Sequence, residues 1–143
     1  MGREAIDTNV ALRLVLGDVP EQTQLAETLL TRPGVRFDLP DAAVVELVFA
    51  LEHHYGLSRD QTTAVVQSLS SVPNLDVSSV FDAVIAQYGT HPKLSFADCY
   101  LAESARTDGT LPLWTFDKKL ANQHAAARLL DPQAVSDVST VGK

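Results

Sequence analysis

The stretch Val35-Arg36-Phe37-Asp38-Leu39-Pro40-Asp41-Ala42-Ala43-Val44-Val45-Glu46-Leu47-Val48-Phe49-Ala50-Leu51 changes its apolar period halfway along. Val35 to Leu39 alternates apolar and polar residues, as a half-buried strand does. Pro40 and Asp41 then open a helix that runs to about Tyr55, with Gly56 as its stop. The same order of strand and helix recurs on both sides. Upstream, Arg3 to Ile6 reads as a short strand leading into Asp7. Thr8-Asn9 offers an N-cap, Val10 to Leu16 a helix stopped by Gly17, and Pro20 to Leu30 a second helix. Downstream, Ser58 to Gln61 has the capping-box pattern, and a helix follows to about Ser70. Asn74 to Val77 is a short strand, and Ser79 caps a helix through Tyr88. Ser95 caps another that runs to about Thr107. Leu111 to Phe116 is an apolar strand, Asp117 begins a short helix containing Leu120, and Ala127 to Leu130 is the last strand. From Asp131 the chain turns small and polar. One domain is therefore expected over residues 1–131, with a loose C-terminal tail over 132–143. The alternation predicts an α/β three-layer sandwich: a central parallel sheet of four to five strands flanked by helices.

The chain has 143 residues, 45% of them hydrophobic and 20% charged, so it can bury an ordinary core and is not a disordered sequence. Its formal net charge is −7. Such a chain is poorly suited to bind a polyanion by bulk charge, and a bound cation would have to reverse the sign locally. The single cysteine, Cys99, excludes an intrachain disulfide and a cysteine zinc site, and fits a reducing, cytoplasmic setting. No apolar run is long enough for a membrane span, and the N-terminus has no signal-peptide core.

Four acids stand out. Asp7 ends the first strand, and Asp117 directly follows Leu113-Trp114-Thr115-Phe116. Glu46 lies inside a run whose other members are apolar, and Asp98 sits in Phe96-Ala97-Asp98-Cys99-Tyr100. A carboxylate on a buried face costs several kcal/mol, on the order expected for poorly compensated ions, unless it is paired or bound to metal. The C-terminal ends of parallel strands share one sheet edge, where sites form. Four carboxylates converging there would repel, and their natural counter-ion is a hard divalent cation, Mg²⁺ or Mn²⁺. Each acid also has a plainer reading: Asp98 as a capping-box acid like Asp82 beside Ser79, Asp117 as an N-cap, Asp7 as a turn residue. Glu46, in mid-helix, has none beyond a partner Arg or Lys. His53 and His54 are adjacent, so they point about 100° apart and form no i,i+4 metal pair; an exposed helix end is expected.

Ile6-Asp7-Thr8-Asn9-Val10, Glu46 on an apolar helix, Ser95-Phe96-Ala97-Asp98 with Leu101-Ala102, and Thr115-Phe116-Asp117 with Leu120 together resemble the PIN-domain family. Within it, the chain looks like the VapC-type toxins of bacterial toxin–antitoxin pairs. The resemblance spans roughly Ile6 to Leu130. It implies a metal-dependent ribonuclease that uses Mg²⁺ or Mn²⁺, with Asp7, Glu46, Asp98 and Asp117 as catalytic metal ligands. The resemblance implies Thr115 and Thr8 as supporting hydroxyls. It further implies cleavage to a 5′-phosphate and a 3′-hydroxyl, structured RNA such as tRNA or rRNA as substrate, a VapB-type antitoxin partner and a homodimer. Lys93, Arg106, Lys118 and Lys119 flank two acid segments and could meet RNA phosphates. The first two helices carry surplus apolar residues (Leu12, Leu14, Val15, Leu29 and Leu30); most are expected against the sheet, and for any left exposed the resemblance implies a groove for an antitoxin helix.

Three other classes fit the residues less well. A haloacid-dehalogenase-type phosphatase wants a second Asp two residues after the first, and Asn9 stands there. A phosphoacceptor receiver domain wants an acidic pair at the first strand's end and a lysine closing the last. Glu4 is displaced, and Leu111 to Phe116 holds no lysine. A non-catalytic interaction domain has no need of four intact acids.

Overall fold

The computed structural model describes residues 2–141. Its elements alternate as the sequence predicts. Strand β1 (Gly2–Ala5) precedes helices α1 (Thr8–Leu16) and α2 (Pro20–Leu30), and β2 (Val35–Asp38) leads into α3 (Asp41–His53) and α4 (Arg59–Gln67). After a 3-10 turn at Ser68–Ser71 come β3 (Leu75–Asp76), α5 (Phe81–Thr90), α6 (Phe96–Asp108), β4 (Leu113–Thr115), α7 (Lys118–Gln123), β5 (Ala127–Leu129) and α8 (Pro132–Val141). All strand pairs are parallel: β1 with β2, β2 with β3, and β4 with β5. The fold is the expected PIN-like α/β class, with one difference. The strands form two hydrogen-bonded groups, of three and two, rather than one sheet of four to five. Strands of two to four residues offer few groups to a ladder. The two groups are tied instead through α6, which packs against both α3 and β4.

The core forms where the helices turn apolar stripes inward. Val44, Leu47, Val48 and Leu51 of α3 are at most 2% exposed, and Phe37 of β2 is fully buried. Tyr88 of α5 and Phe96 of α6 meet edge to face at 5.2 Å. Arg59, at the start of α4, lies 3.9 Å over the Tyr88 ring. It donates to the carbonyls of Tyr88 at 2.7 Å and His91 at 2.9 Å, and also to that of Leu94. One guanidinium thus satisfies the chain end that follows α5, where helical carbonyls lose their partners.

Several predicted boundaries move, each for a local reason. The N-cap of α1 is Asp7, not Thr8-Asn9, because the Asp7 carboxylate accepts from the N–H groups of Asn9 and Val10. Ser79 caps nothing: α5 starts at Phe81 without a side-chain cap. Gly17 ends α1 in the left-handed region, φ 63°, where a Cβ would be strained. The segment read as a loose tail is helical over Pro132–Val141. Asp131 accepts from the Ala134 N–H at 2.7 Å, and Pro132 opens the helix, a start signal that the polar composition masks. Residues 142 and 143 of that predicted tail lie outside the described residues. Among the described residues no helix is long and apolar enough to cross a membrane.

Candidate metal centre

Asp7 lies two residues beyond β1, whose ladder is continued by the Ile6 N–H donating to Asp38 O at 3.0 Å. The acid therefore sits at the C-terminal edge of the sheet. Its Oδ1 accepts both capping bonds, from Asn9 N at 3.1 Å and Val10 N at 3.2 Å. Among the described residues nothing bonds Oδ2, which is left for a ligand. A carboxylate on the first N–H groups of a helix is also favoured by the helix dipole.

Glu46 is exposed, which corrects the expectation of a buried carboxylate. Apolar neighbours in sequence are not neighbours in space: Leu47, Val48 and Leu51 face the core, while Glu46, Phe49 and Ala50, at i, i+3 and i+4, form the opposite face. Thr8 donates from Oγ1 to Glu46 Oε2 at 3.0 Å, with a second contact to Ala43 O at 3.3 Å. The predicted supporting hydroxyl thus ties α1 to the acid of α3. No Arg or Lys pairs with Glu46 among the described residues.

Asp7 and Glu46 line one open cleft between α1 and α3, about 850 Å³ in volume. Thr8, Asn9 and Arg13 form one wall; Phe49, Ala50, His54 and Tyr55 form the other. Arg13 does not offer the cleft a free positive charge. Its guanidinium bonds Asp18 at 2.6 Å, Gln22 at 2.8 Å and Tyr55 Oη at 3.5 Å. Arg13 in turn holds the Asp18 carboxyl below the usual range. Sequence reasoning missed Phe49, Tyr55 and Arg13. The only available signal was the three- and four-residue spacing from Glu46, which places Phe49 and Ala50 on its face.

Asp98 and Asp117 do not line this cleft. Asp98 is in the first turn of α6, its N–H donating to Ser95 Oγ at 3.1 Å. It is half-buried, and the return bond that completes the capping box at Ser58–Gln61 is not formed here among the described residues. Asp117 is exposed and caps α7, Oδ1 accepting from Lys119 N at 2.8 Å and Leu120 N at 3.3 Å. Thr115 Oγ1 accepts from the Asp117 N–H at 2.9 Å, so the second predicted hydroxyl orders this turn. The plainer N-cap reading thus holds for Asp117, while Asp7, whose plainer reading is a turn residue, is an N-cap as well, each through one oxygen.

Among the described residues no group of three or more His, Cys, Asp or Glu stands close enough to hold a metal ion. The predicted convergence of all four acids is therefore not formed; the structure brings together two of them, Asp7 and Glu46. The donor set nonetheless fits a hard divalent cation: carboxylate oxygens only, with Asp7 and Asp117 each keeping one oxygen uncommitted.

Comparison with curated proteins and with solved structures gives no match. Comparison with known families gives one: residues 5–125 match the PIN domain, whose members are generally metal-dependent nucleases that bind divalent ions. That span runs from the end of β1 through α7 and takes in most of the molecule, and the chain belongs to the PIN domain family.

Proposed function

We propose that this protein is a divalent-metal-dependent ribonuclease, the toxin of a VapBC-type pair. Asp7, Glu46, Asp98 and Asp117 are its ligand set, and Mg²⁺ or Mn²⁺ its ion. The observation that carries the reading is the shared cleft of Asp7 and Glu46, two carboxylates from separate elements at the sheet's C-terminal edge. Held by these carboxylates, a divalent cation would supply water activation and charge neutralisation at the phosphate. The chain's own residues prepare for that. Thr8 fixes one oxygen of Glu46, and the α1 N–H groups fix one oxygen of Asp7. Thr115 orders the turn that presents Asp117.

A second cleft supports the toxin part of the reading. It lies on the other side of α1, lined by Val10, Leu25, Ala26 and Leu29, with Asn9, Arg13 and Gln22 at its rim. Leu25 is 71% exposed there, while Leu12 and Leu30 are core residues, so the predicted groove uses only part of the predicted set. An amphipathic antitoxin helix suits such a surface.

Cleavage of end-labelled RNA in Mg²⁺ or Mn²⁺ tests the function. Excess EDTA is expected to abolish it, and Asp7→Asn or Asp98→Asn to lower it at least ~100-fold, the scale of losing a key electrostatic group. Circular dichroism should show both variants folded. Cleavage that survives chelation would sink the proposal.

A further inference from the structure

The acid cleft has an aromatic wall that metal chemistry leaves unexplained. Phe49 is 57% exposed and Tyr55 37%, and both line the cleft with His54. Phe49 stacks obliquely on His53, ring centroids 4.3 Å apart, and meets His54 edge-on at 6.1 Å. Single exposed apolar residues need no explanation. Here, however, three rings share a cleft with two carboxylates, and Phe49 lies one helical turn from Glu46 on the same face.

Charge cannot supply what the wall supplies. Every arginine already sits against an acid or a backbone carbonyl. Among the described residues, Lys93, Lys118 and Lys119 are in no ion pair, and Arg59, also without one, is committed to the carbonyls of Tyr88 and His91. A polyanion has few phosphate contacts to make on this surface, whereas a nucleobase can stack on an aromatic face whatever its sequence. The two clefts on either side of α1 also divide the possible occupants by chemistry. The α1–α2 cleft is apolar and suits a helix. The acid cleft is polar at its base, with Asp7, Thr8, Asn9 and Glu46, and aromatic at its rim. That combination matches a nucleoside, which has a flat ring and a hydroxylated sugar.

We infer that Phe49, with Tyr55 and His54, forms a stacking platform for an unpaired nucleotide beside the acid site. This inference rests on the ribonuclease reading but does not require turnover to be tested.

The test uses the full chain and an unstructured ten-nucleotide RNA carrying one 2-aminopurine, in EDTA so that no cleavage intervenes. Binding should quench the fluorophore, and a duplex of the same sequence should compete poorly. Phe49→Ala and Phe49→Leu should each weaken binding about 5- to 150-fold, the range for losing one base–aromatic stack, while Phe49→Trp keeps it. Phe49→Leu is the decisive variant, because it preserves apolar bulk without a π face; a groove for a peptide helix would accept it. The salt slope should be no steeper than about −2, from ~0.7 per phosphate contact and the three unpaired lysines among the described residues. Equal competition by duplex would overturn the platform. So would unchanged binding by Phe49→Leu, or an effect of that variant confined to a basic amphipathic peptide. A parallel cleavage assay in Mn²⁺ keeps the two failures apart. Cleavage by the parent chain with KM unmoved by Phe49→Leu removes the platform and leaves the nuclease. Stacking without cleavage under any divalent ion leaves the platform and removes the nuclease.

Discussion

Thr8 has a single hydroxyl, and it is spent on one oxygen of Glu46 and the carbonyl of Ala43. A carboxylate on a helix surface ordinarily samples several rotamers, and losing that freedom costs up to about 2 kcal/mol. Part of that cost is met in advance by the Thr8 bond. Thr8→Val, which keeps the β-branched shape and removes the donor, is expected to leave the fold intact. It should weaken Mn²⁺ binding about 5- to 10-fold, the equivalent of one net hydrogen bond of ~1–1.5 kcal/mol. Isothermal titration of Mn²⁺ into both proteins decides it; equal affinities would show that Thr8 serves the helix N-terminus alone. At this scale the sequence was partly legible. Asp7, Thr8 and Glu46, which line one cleft, stand out in the sequence as residue types. What the sequence hid was their surroundings. Glu46 looks buried in a one-dimensional string and is exposed in space, because successive helical residues point about 100° apart, so its sequence neighbours Leu47 and Val48 face the core while it does not.

Helices α6 and α7 carry Asp98 and Asp117, and a buried pair joins them. Glu103 of α6 and His124, the residue that closes α7, are each 3% exposed. His124 Nδ1 accepts from the Ala126 N–H at 3.0 Å, so the ring proton sits on Nε2 and is donated to Glu103 Oε1 at 2.9 Å. Arg106 stands 3.8 Å from the same oxygen, too far to replace that bond. His124→Ala leaves Glu103 buried without its donor and opens a cavity. A loss of about 2–4 kcal/mol in unfolding free energy is expected, read from urea denaturation, whereas Arg106→Ala at the exposed end should cost under ~1 kcal/mol. Nothing in the sequence marks this pair. Glu103 and His124 are 21 residues apart, and their meeting depends on how α6 packs beside β4. The order of strands and helices was legible because it is written in local apolar periods. Two features were not: the division of the strands into groups of three and two, which depends on long-range hydrogen bonds, and α8, whose start signal at Asp131-Pro132 lies in a polar stretch.

Across the whole molecule, a net charge of −7 is distributed so that the arginines hold the architecture together rather than decorate a binding face. Arg3 bonds Asp38 and Asp76, and Arg36 bonds Asp76 at 2.6 and 2.9 Å, tying all three strands of the larger sheet at their exposed side. Arg32 is paired with Glu4 beside that sheet. Arg36 above all, with Arg3 adding to it, holds the Asp76 carboxyl down at about 2, below its ordinary 3.8. A carboxyl whose folded pKa is depressed favours the folded state in its ionised form. The contribution is complete above the unfolded value and is lost as pH falls from about 4 to about 2. Asp18, held down by Arg13, acts in the same direction, so the parent chain loses stability over this interval from more than one group. Asp76→Asn isolates the contribution of the sheet. It should lower the urea midpoint at pH 7, and the gap from the parent chain should narrow as pH falls from about 4 to about 2, where the folded parent's Asp76 is half protonated. Measuring midpoints from pH 7 to pH 2 for the two proteins checks this. Parallel curves would mean that solvent and salt already screen the Arg36–Asp76 pair in the folded sheet, so that the strands are held by their backbone ladder alone.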